Sequence, residues 1–214
     1  MFKIALYLLI AVVLAIFLLP FFYTVSPYEL DPTKILQAPT LEHLFGTDRL
    51  GRDMLARVLN GGQTSLIIGF LAASISSIVG LFIGINAGYF KGNIDKTITI
   101  MIDLFLTFPT FFLLLALVSY IQASALILII VISVTGWMGM ARMIRSESFA
   151  IGNKPFIKIL KVANVSTFKI IFKYFAPLLA PIFLISFTFG VGGSILAESG
   201  LSFLGLGVNP PQMS

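Results

Sequence analysis

Residues 65–89 read Ser-Leu-Ile-Ile-Gly-Phe-Leu-Ala-Ala-Ser-Ile-Ser-Ser-Ile-Val-Gly-Leu-Phe-Ile-Gly-Ile-Asn-Ala-Gly-Tyr. A membrane helix needs roughly 20 mostly apolar residues, and this stretch supplies them. It is also rich in small residues: Gly69, Ala72, Ala73, Ser76, Ser77, Gly80 and Gly84. Small residues let helix backbones approach closely in lipid. Four further stretches read as spans: Ile4 to Phe22 before it, then Ile98 to Ile121, Ala123 to Met140, and Pro177 to Leu196. Only Gln122 and its small neighbours separate the third span from the fourth, which predicts a tight hairpin. The expected fold is all-α, a polytopic membrane helix bundle with five candidate spans.

Composition agrees. Of 214 residues, 58% are hydrophobic and 11% charged, against roughly a quarter charged in soluble domains. The 21 Phe and single Trp read as lipid-facing and packing bulk, not as a base-stacking surface. There is no Cys, which excludes disulfides, thiolate metal sites and Cys nucleophiles. His43 is the one histidine, so a multi-histidine metal site is excluded too. Residues 1–22 read as a retained anchor, since Pro20-Phe-Phe-Tyr23 does not suit a signal peptidase.

The net charge of +5 is a topology signal. Lys3, the loop with Lys91 and Lys96, and the loop with Arg142, Arg145, Lys154, Lys158, Lys161, Lys169 and Lys173 hold 10 of the 14 basic residues. Basic residues in short loops stay cytoplasmic. Five spans starting inside put these segments in the cytoplasm and the segment 23–62 in the periplasm. Nucleic acid thereby loses its main support as a partner, and the bilayer takes its place.

The 142–174 loop is too long for a simple turn. Phe156, Ile159, Leu160 and Ala163 fall at i, i+3, i+4 and i+7, with Lys158, Lys161 and Asn164 elsewhere, which predicts a short amphipathic helix. Pro155 suits its first position. Phe168, Ile171, Phe172 and Phe175 repeat the spacing, and Ser166 or Thr167 can cap that second helix. The pattern is equally consistent with helices lying on an anionic leaflet and with a helix docking in a partner's groove.

Three stretches together resemble the inner-membrane permeases of the dipeptide, oligopeptide and nickel ABC-transporter family. They are Phe45-Gly-Thr-Asp-Arg-Leu-Gly-Arg-Asp53 with Arg57; Trp137 through Ala141-Arg142 to Arg145; and Ala197-Glu198 with Leu201-Ser-Phe-Leu-Gly-Leu-Gly-Val208 and Pro210-Pro211. The resemblance runs from about His43 onward. It implies a pore-forming subunit that is not itself an enzyme and binds no cofactor. ATP and Mg would sit on two cytoplasmic ATPase subunits. A second permease would complete the pore, and a periplasmic binding protein would deliver substrate. The 142–176 loop would be the coupling segment within a permease core of 63–208. ATPase closure would push the Phe156–Val165 helix and rock the second and fifth spans. The family motif residues carried over are Gly46, Thr47, Asp48, Gly51, Arg52, Asp53 and Arg57. The location implied is the bacterial inner membrane, with the N-terminus cytoplasmic.

Two departures stand out. The family loop usually reads Glu-Ala-Ala, three residues, then Gly; here those positions are Lys158, Ile159, Leu160 and Asn164, while Pro177 matches. Asn still tolerates left-handed geometry. The family also carries a sixth span, whereas this sequence stops at Ser214; residues 209–214 then read as a shortened C-terminal stretch.

Isolated residues carry further expectations. An acid in a span is a functional candidate by default. Asp103 is expected to pair with Arg142 or Arg145, with substrate contact as the alternative. Glu198, after Gly192 and Gly193, faces either the translocation path or a structural hydrogen bond beneath the 201–208 turn. Asp48, Arg49, Arg52, Asp53 and Arg57 are expected to order the start of the second span through salt bridges, with contact to the partner permease or the binding protein as the alternative. His43 is expected to be solvated. No paired acids, His cluster or P-loop marks a membrane enzyme. A stand-alone secondary transporter or channel would call for inverted repeats, and none is evident.

Overall fold

The computed structural model describes residues 2–120 and 124–208. The hairpin expected at Gln122 and the stretch 209–214 lie outside the described residues. The fold is all-α: α1 (Phe2–Phe22), a 3-10 turn (Pro32–Lys34), α2 (Met54–Phe90), α3 (Gly92–Thr107), α4 (Thr110–Ser119), α5 (Ala125–Gly152), α6 (Pro155–Val162), α7 (Thr167–Ile170), a π turn (Ile171–Phe175) and α8 (Ala176–Phe203). Among the described residues the only β pairing is an isolated bridge, Thr47 to Asp53.

Among the described residues, four helical stretches are long and apolar enough to cross a membrane: Lys3–Phe22, Met54–Phe90, Ala125–Gly152 and Thr167–Phe203. A fifth crossing exists only if α3 and α4 count as one, and these are bent by 78°. The expected straight span Ile98–Ile121 is therefore broken. The cause is Pro109, whose ring disfavours the α region for the residue before it. Phe108 is accordingly extended, at φ −84 and ψ 132.

Three other boundaries move. The second span begins at Met54, not Ser65, and its 37 residues extend about 55 Å, well beyond a hydrocarbon core of about 30 Å. The fourth continues past Met140 through Arg142 and Arg145 to Gly152, so the first third of the expected loop is helix. The second amphipathic helix is not separate. It runs through the π turn into α8, where the Ala176 N–H reaches back to the Ile171 carbonyl. Pro177 follows and has no N–H with which to close an α turn.

Glycine spacing sets the bundle. Gly80, Gly84 and Gly88 form one seam of α2 against α5. An added Cβ would lie 2.7 Å from Met140 Cβ at Gly80, 2.7 Å from the Ala141 carbonyl oxygen at Gly84, and 2.5 Å from Ser148 Cβ at Gly88. The backbones approach this closely because no side chain intervenes. α2 also meets α8, where Gly69 receives Ile195. α1 stands against α2 through Ile16 over Gly62, and Gln63 Nε2 donates to the Ile16 carbonyl at 3.0 Å.

The core has three parts. Ile85, Tyr89, Ile144, Ile151, Ile157, Ile170, Phe175 and Leu179 pack where α6 and α7 meet α2 and α5. Ile68, Ala72, Leu114, Val118, Leu128, Ile132 and Leu201 pack toward the other end. Ile102, Met138 and Ala141 join α3 to α5.

Candidate functional site

The 45–57 segment is a knot of hydrogen bonds ahead of α2. Asp53 is buried and caps α2, accepting the Ala56 N–H at 2.6 Å. Its other oxygen accepts Tyr23 Oη at 2.7 Å and lies 3.0 Å from His43 Nδ1. Burial and this hydrogen bond to Asp53 push the Tyr23 phenol up to about 12. Asp48 accepts the Leu50 and Arg52 amides at 2.8 and 3.0 Å and Arg52 Nε at 2.8 Å, with Arg57 Nε at 3.6 Å. Burial works to raise the Asp48 carboxyl, but the Arg52 side chain and the two amides hold it below the usual range. Thr47 Oγ1 donates to the Lys34 carbonyl and accepts the Gln37 N–H at 2.9 Å.

Gly46 and Gly51 have φ of +72 and +76, which L side chains avoid. A Cβ at Gly51 would lie 1.9 Å from the Asp31 carbonyl oxygen. The motif thus folds back onto residues 31–37. The expected local salt bridges form around Asp48, whereas Asp53 binds Tyr23, His43 and an amide instead. Arg49 is exposed. His43 corrects the expectation of a solvated residue: it is 9% exposed, wedged between Asp53 and Lys34, whose Nζ is 3.3 Å from Nε2.

At the opposite end, Arg142 pairs with Asp103, one of the two partners expected. Arg145 takes Asp95, in the first turn of α3, with Nη2 to Oδ2 at 2.9 Å. That second acid was missed, although an acid in a helix's first turn is a ready partner for an arginine nearby. Lys91 Nζ donates to Asn153 Oδ1 at 2.7 Å and lies over the Phe149 ring.

The expected amphipathic helix is α6, with Pro155 in its first turn. The apolar stripe is split. Leu160 turns inward beside the fully buried Ile157, which the stripe had omitted. Phe156, Ile159 and Ala163 face outward with Lys158, and so does Val162. Ile159 is 67% and Val162 87% exposed, so the outer face is itself apolar. Lys161 Nζ sits 4.1 Å from the centre of the Tyr89 ring. Asn164 closes the helix at φ +57, the left-handed geometry expected of it. Ser166 caps α7, accepting the Lys169 N–H at 3.4 Å. Phe168 and Phe172 are exposed, their ring centroids 4.3 Å apart, and the inward positions belong to Ile170 and Phe175.

Glu198 is fully buried. Ser65 Oγ and Ser202 Oγ each donate to its carboxylate at 2.8 Å. It tethers α8 to α2, the structural role that the sequence allowed. Among the described residues, a Cβ added at Gly192 or Gly193 would meet no atom within 4 Å. Gly193 lines a cleft of about 550 Å³ between α2, α5 and α8. Gly192 lines another, of about 650 Å³, beside α1. Of the four residues expected to line a path, Asp103 and Glu198 are held in pairs and the two glycines border open space.

Residues 80–213, from the glycine seam to the end of α8 and beyond, match the binding-protein-dependent transport system inner membrane component family. The chain belongs to that family. It is 37% identical over 199 residues to the oligopeptide transport system permease protein OppC of Mycobacterium tuberculosis (strain H37Rv), covering 92% of this chain and 67% of the relative. The OppC of Mycobacterium bovis matches equally well. The OppC of Haemophilus influenzae is 33% identical over 212 residues, covering 98% of this chain and 68% of the relative. As an inner-membrane component of a binding-protein-dependent system, the chain is a multi-pass ABC-importer permease, a transport subunit and not an enzyme. The family match takes in α5, α6 and α8 whole, and with them the Arg142 pair, the outward face of α6 and the Glu198 tether.

Proposed function

We propose that this permease forms half of the pore of an ATP-driven oligopeptide importer, and that α6 couples it to a cytoplasmic ATPase. The apolar outer face of α6 carries the reading. A short helix that exposes Phe156, Ile159 and Val162 while Ile157 and Leu160 face the core is shaped for a groove in a partner. The OppC relatives favour oligopeptides as cargo over nickel or a chelate. A second permease supplies the other half of the pore, two ATPase subunits bind ATP and Mg, and a periplasmic binding protein delivers peptide. The N-terminus is cytoplasmic, since that orientation puts the basic residues around α6 and α3 inside. Lys158 in place of the family's usual Glu selects an ATPase whose groove presents an acid there.

The test is Ile159→Asp in the assembled importer, reconstituted with its partners. Peptide uptake and peptide-stimulated ATP hydrolysis should both fall at least tenfold, while membrane insertion is unchanged. Uptake at the parent level would sink the coupling role of α6. A companion exchange, Lys158→Glu, should weaken ATPase recovery in a pull-down.

A further inference from the structure

The cleft between α2, α5 and α8 is bordered at one side by Thr110, the first residue of α4. Among the described residues, no charged side chain lines it. Its polar groups are the hydroxyls of Ser76, Ser77, Thr110, Thr135, Ser186 and Ser194. Several of these already serve the protein. Ser76 donates to the Ser133 carbonyl at 3.2 Å, Thr135 to the Val131 carbonyl at 3.1 Å, and Ser186 Oγ lies 3.5 Å from Met143 Sδ. Ser77 and Ser194 do not. They are 2% and 8% exposed, and among the described residues neither hydroxyl makes a hydrogen bond. A mid-helix serine ordinarily donates to the carbonyl four residues back, as Ser74 and Ser133 do here. Both serines line the cleft, so their hydroxyl oxygens are open to whatever fills it. Two such hydroxyls on facing helices, aimed into one cleft, ask for a ligand that can both give and take hydrogen bonds.

We infer that Ser77 and Ser194 bind the backbone of the peptide in transit, a reading that rests on the oligopeptide-import function proposed above. Every peptide unit offers one donor and one acceptor whatever its side chain, and a serine hydroxyl answers both. An uncharged wall does not distinguish cationic from anionic side chains. The absent Cβ at Gly139 and Gly193, where nothing lies within 4 Å, leaves room for them. A cleft of about 550 Å³ is in the range of ligand pockets. Selection by charge is therefore not made on this wall, and Ser77 and Ser194 set the register of the backbone instead.

The chain has no cysteine, so an introduced thiol is its only one. The fully assembled importer is reconstituted in liposomes, and ATP-dependent uptake of alanine-based tetrapeptides bearing Lys, Gln or Glu is measured first. Absence of uptake for all three would remove the import function and this inference with it. With uptake established, Ser77→Cys and Ser194→Cys are each treated with a membrane-impermeant methanethiosulfonate. Both thiols should react, and each tetrapeptide should slow the reaction to a similar degree, about fivefold or more. Ser77→Asp should then favour the Lys peptide over the Glu peptide by at least tenfold. Unreactive thiols in an importer that still transports would overturn the assignment and leave import standing. So would reaction rates that peptide does not change, which would mean a wet cleft off the path. If Ser77→Asp fails to assemble, protection of the Ser194→Cys thiol decides alone.

Discussion

Tyr23 donates its phenol hydrogen to Asp53 across 2.7 Å, so the residue that follows α1 is fastened to the residue that caps α2. Removing that hydroxyl leaves Asp53 with His43 and the Ala56 amide only. Tyr23→Phe should cost ~1–2 kcal/mol, read as a drop of a few degrees in Tm in detergent. The bond also carries a pH signature. A phenol whose folded pKa is raised from 10.0 to about 12 contributes its full stability below pH 10 and loses it as pH rises through 12. The parent should therefore lose stability over that window more steeply than Tyr23→Phe. Parallel curves would exclude the coupling.

His43 offers a second test, because it is the one histidine in the chain. An ammonium has donors and no acceptor, so the 3.3 Å contact with Lys34 makes Nε2 the acceptor and puts the hydrogen of the neutral ring on Nδ1, toward Asp53. Nitrogen-15 histidine labelling should give a single imidazole in the Nδ1–H tautomer at pH 8. Lys34→Ala should shift it toward the tautomer mixture of free histidine. An Nε2–H ring in the parent would refute the arrangement.

The glycine seam predicts a contrast. Gly84→Ala places a methyl 2.7 Å from a backbone carbonyl oxygen and from Ile144 Cβ, and overpacking of this kind costs ~1–3 kcal/mol. Gly192→Ala meets nothing within 4 Å, and alanine is the better helix former. Tm should fall for the first and hold or rise for the second. Equal effects would mean that α2 and α5 are not in the contact described.

The two arginines of α5 should differ as well. The Arg145–Asp95 side chains are 29% and 15% exposed, against 53% and 56% for Arg142–Asp103. Exposed pairs contribute little, whereas leaving one partner of a more buried pair alone is costlier. Arg145→Ala should destabilise by ~2 kcal/mol, Arg142→Ala by less than ~1. The exchange Asp95→Arg with Arg145→Asp should restore part of the loss, and no restoration would argue against the pairing.

Much of this was legible from residue types. Apolar length found four crossings, basic residues found the end that carries α6, and Asn164 and Ser166 took the conformations their chemistry favours. Other features depend on what meets what. Nothing in Met54–Thr64 looks like a membrane helix, yet it is one continuous piece with α2 because Asp53 caps it. Arg142 and Arg145 looked like the start of a loop; acids on α3 let them remain helical. Phe108-Pro109 was visible, but apolar continuity hid the bend that a proline imposes. On α6 the spacing located an apolar stripe without saying which side faced the core. Ile157 turned in, and Ile159 turned out. His43 was misjudged because a polar segment looked open until Asp53 and Lys34 closed around it.

Thr167 to Phe203 is one rod of 37 residues, about 55 Å long, with exposed Phe168 near one end and the Glu198 tether near the other. Two places interrupt its regular hydrogen bonding: Pro181, inside α8, and the π turn at Ile171–Phe175. The π turn holds one residue more than the α-helical repeat allows, and letting that residue go would rotate everything downstream by about 100°. A small slip among five residues could then act as a torsional clutch. It would swing Ser194 out of the cleft and part Glu198 from Ser65 in a single stroke.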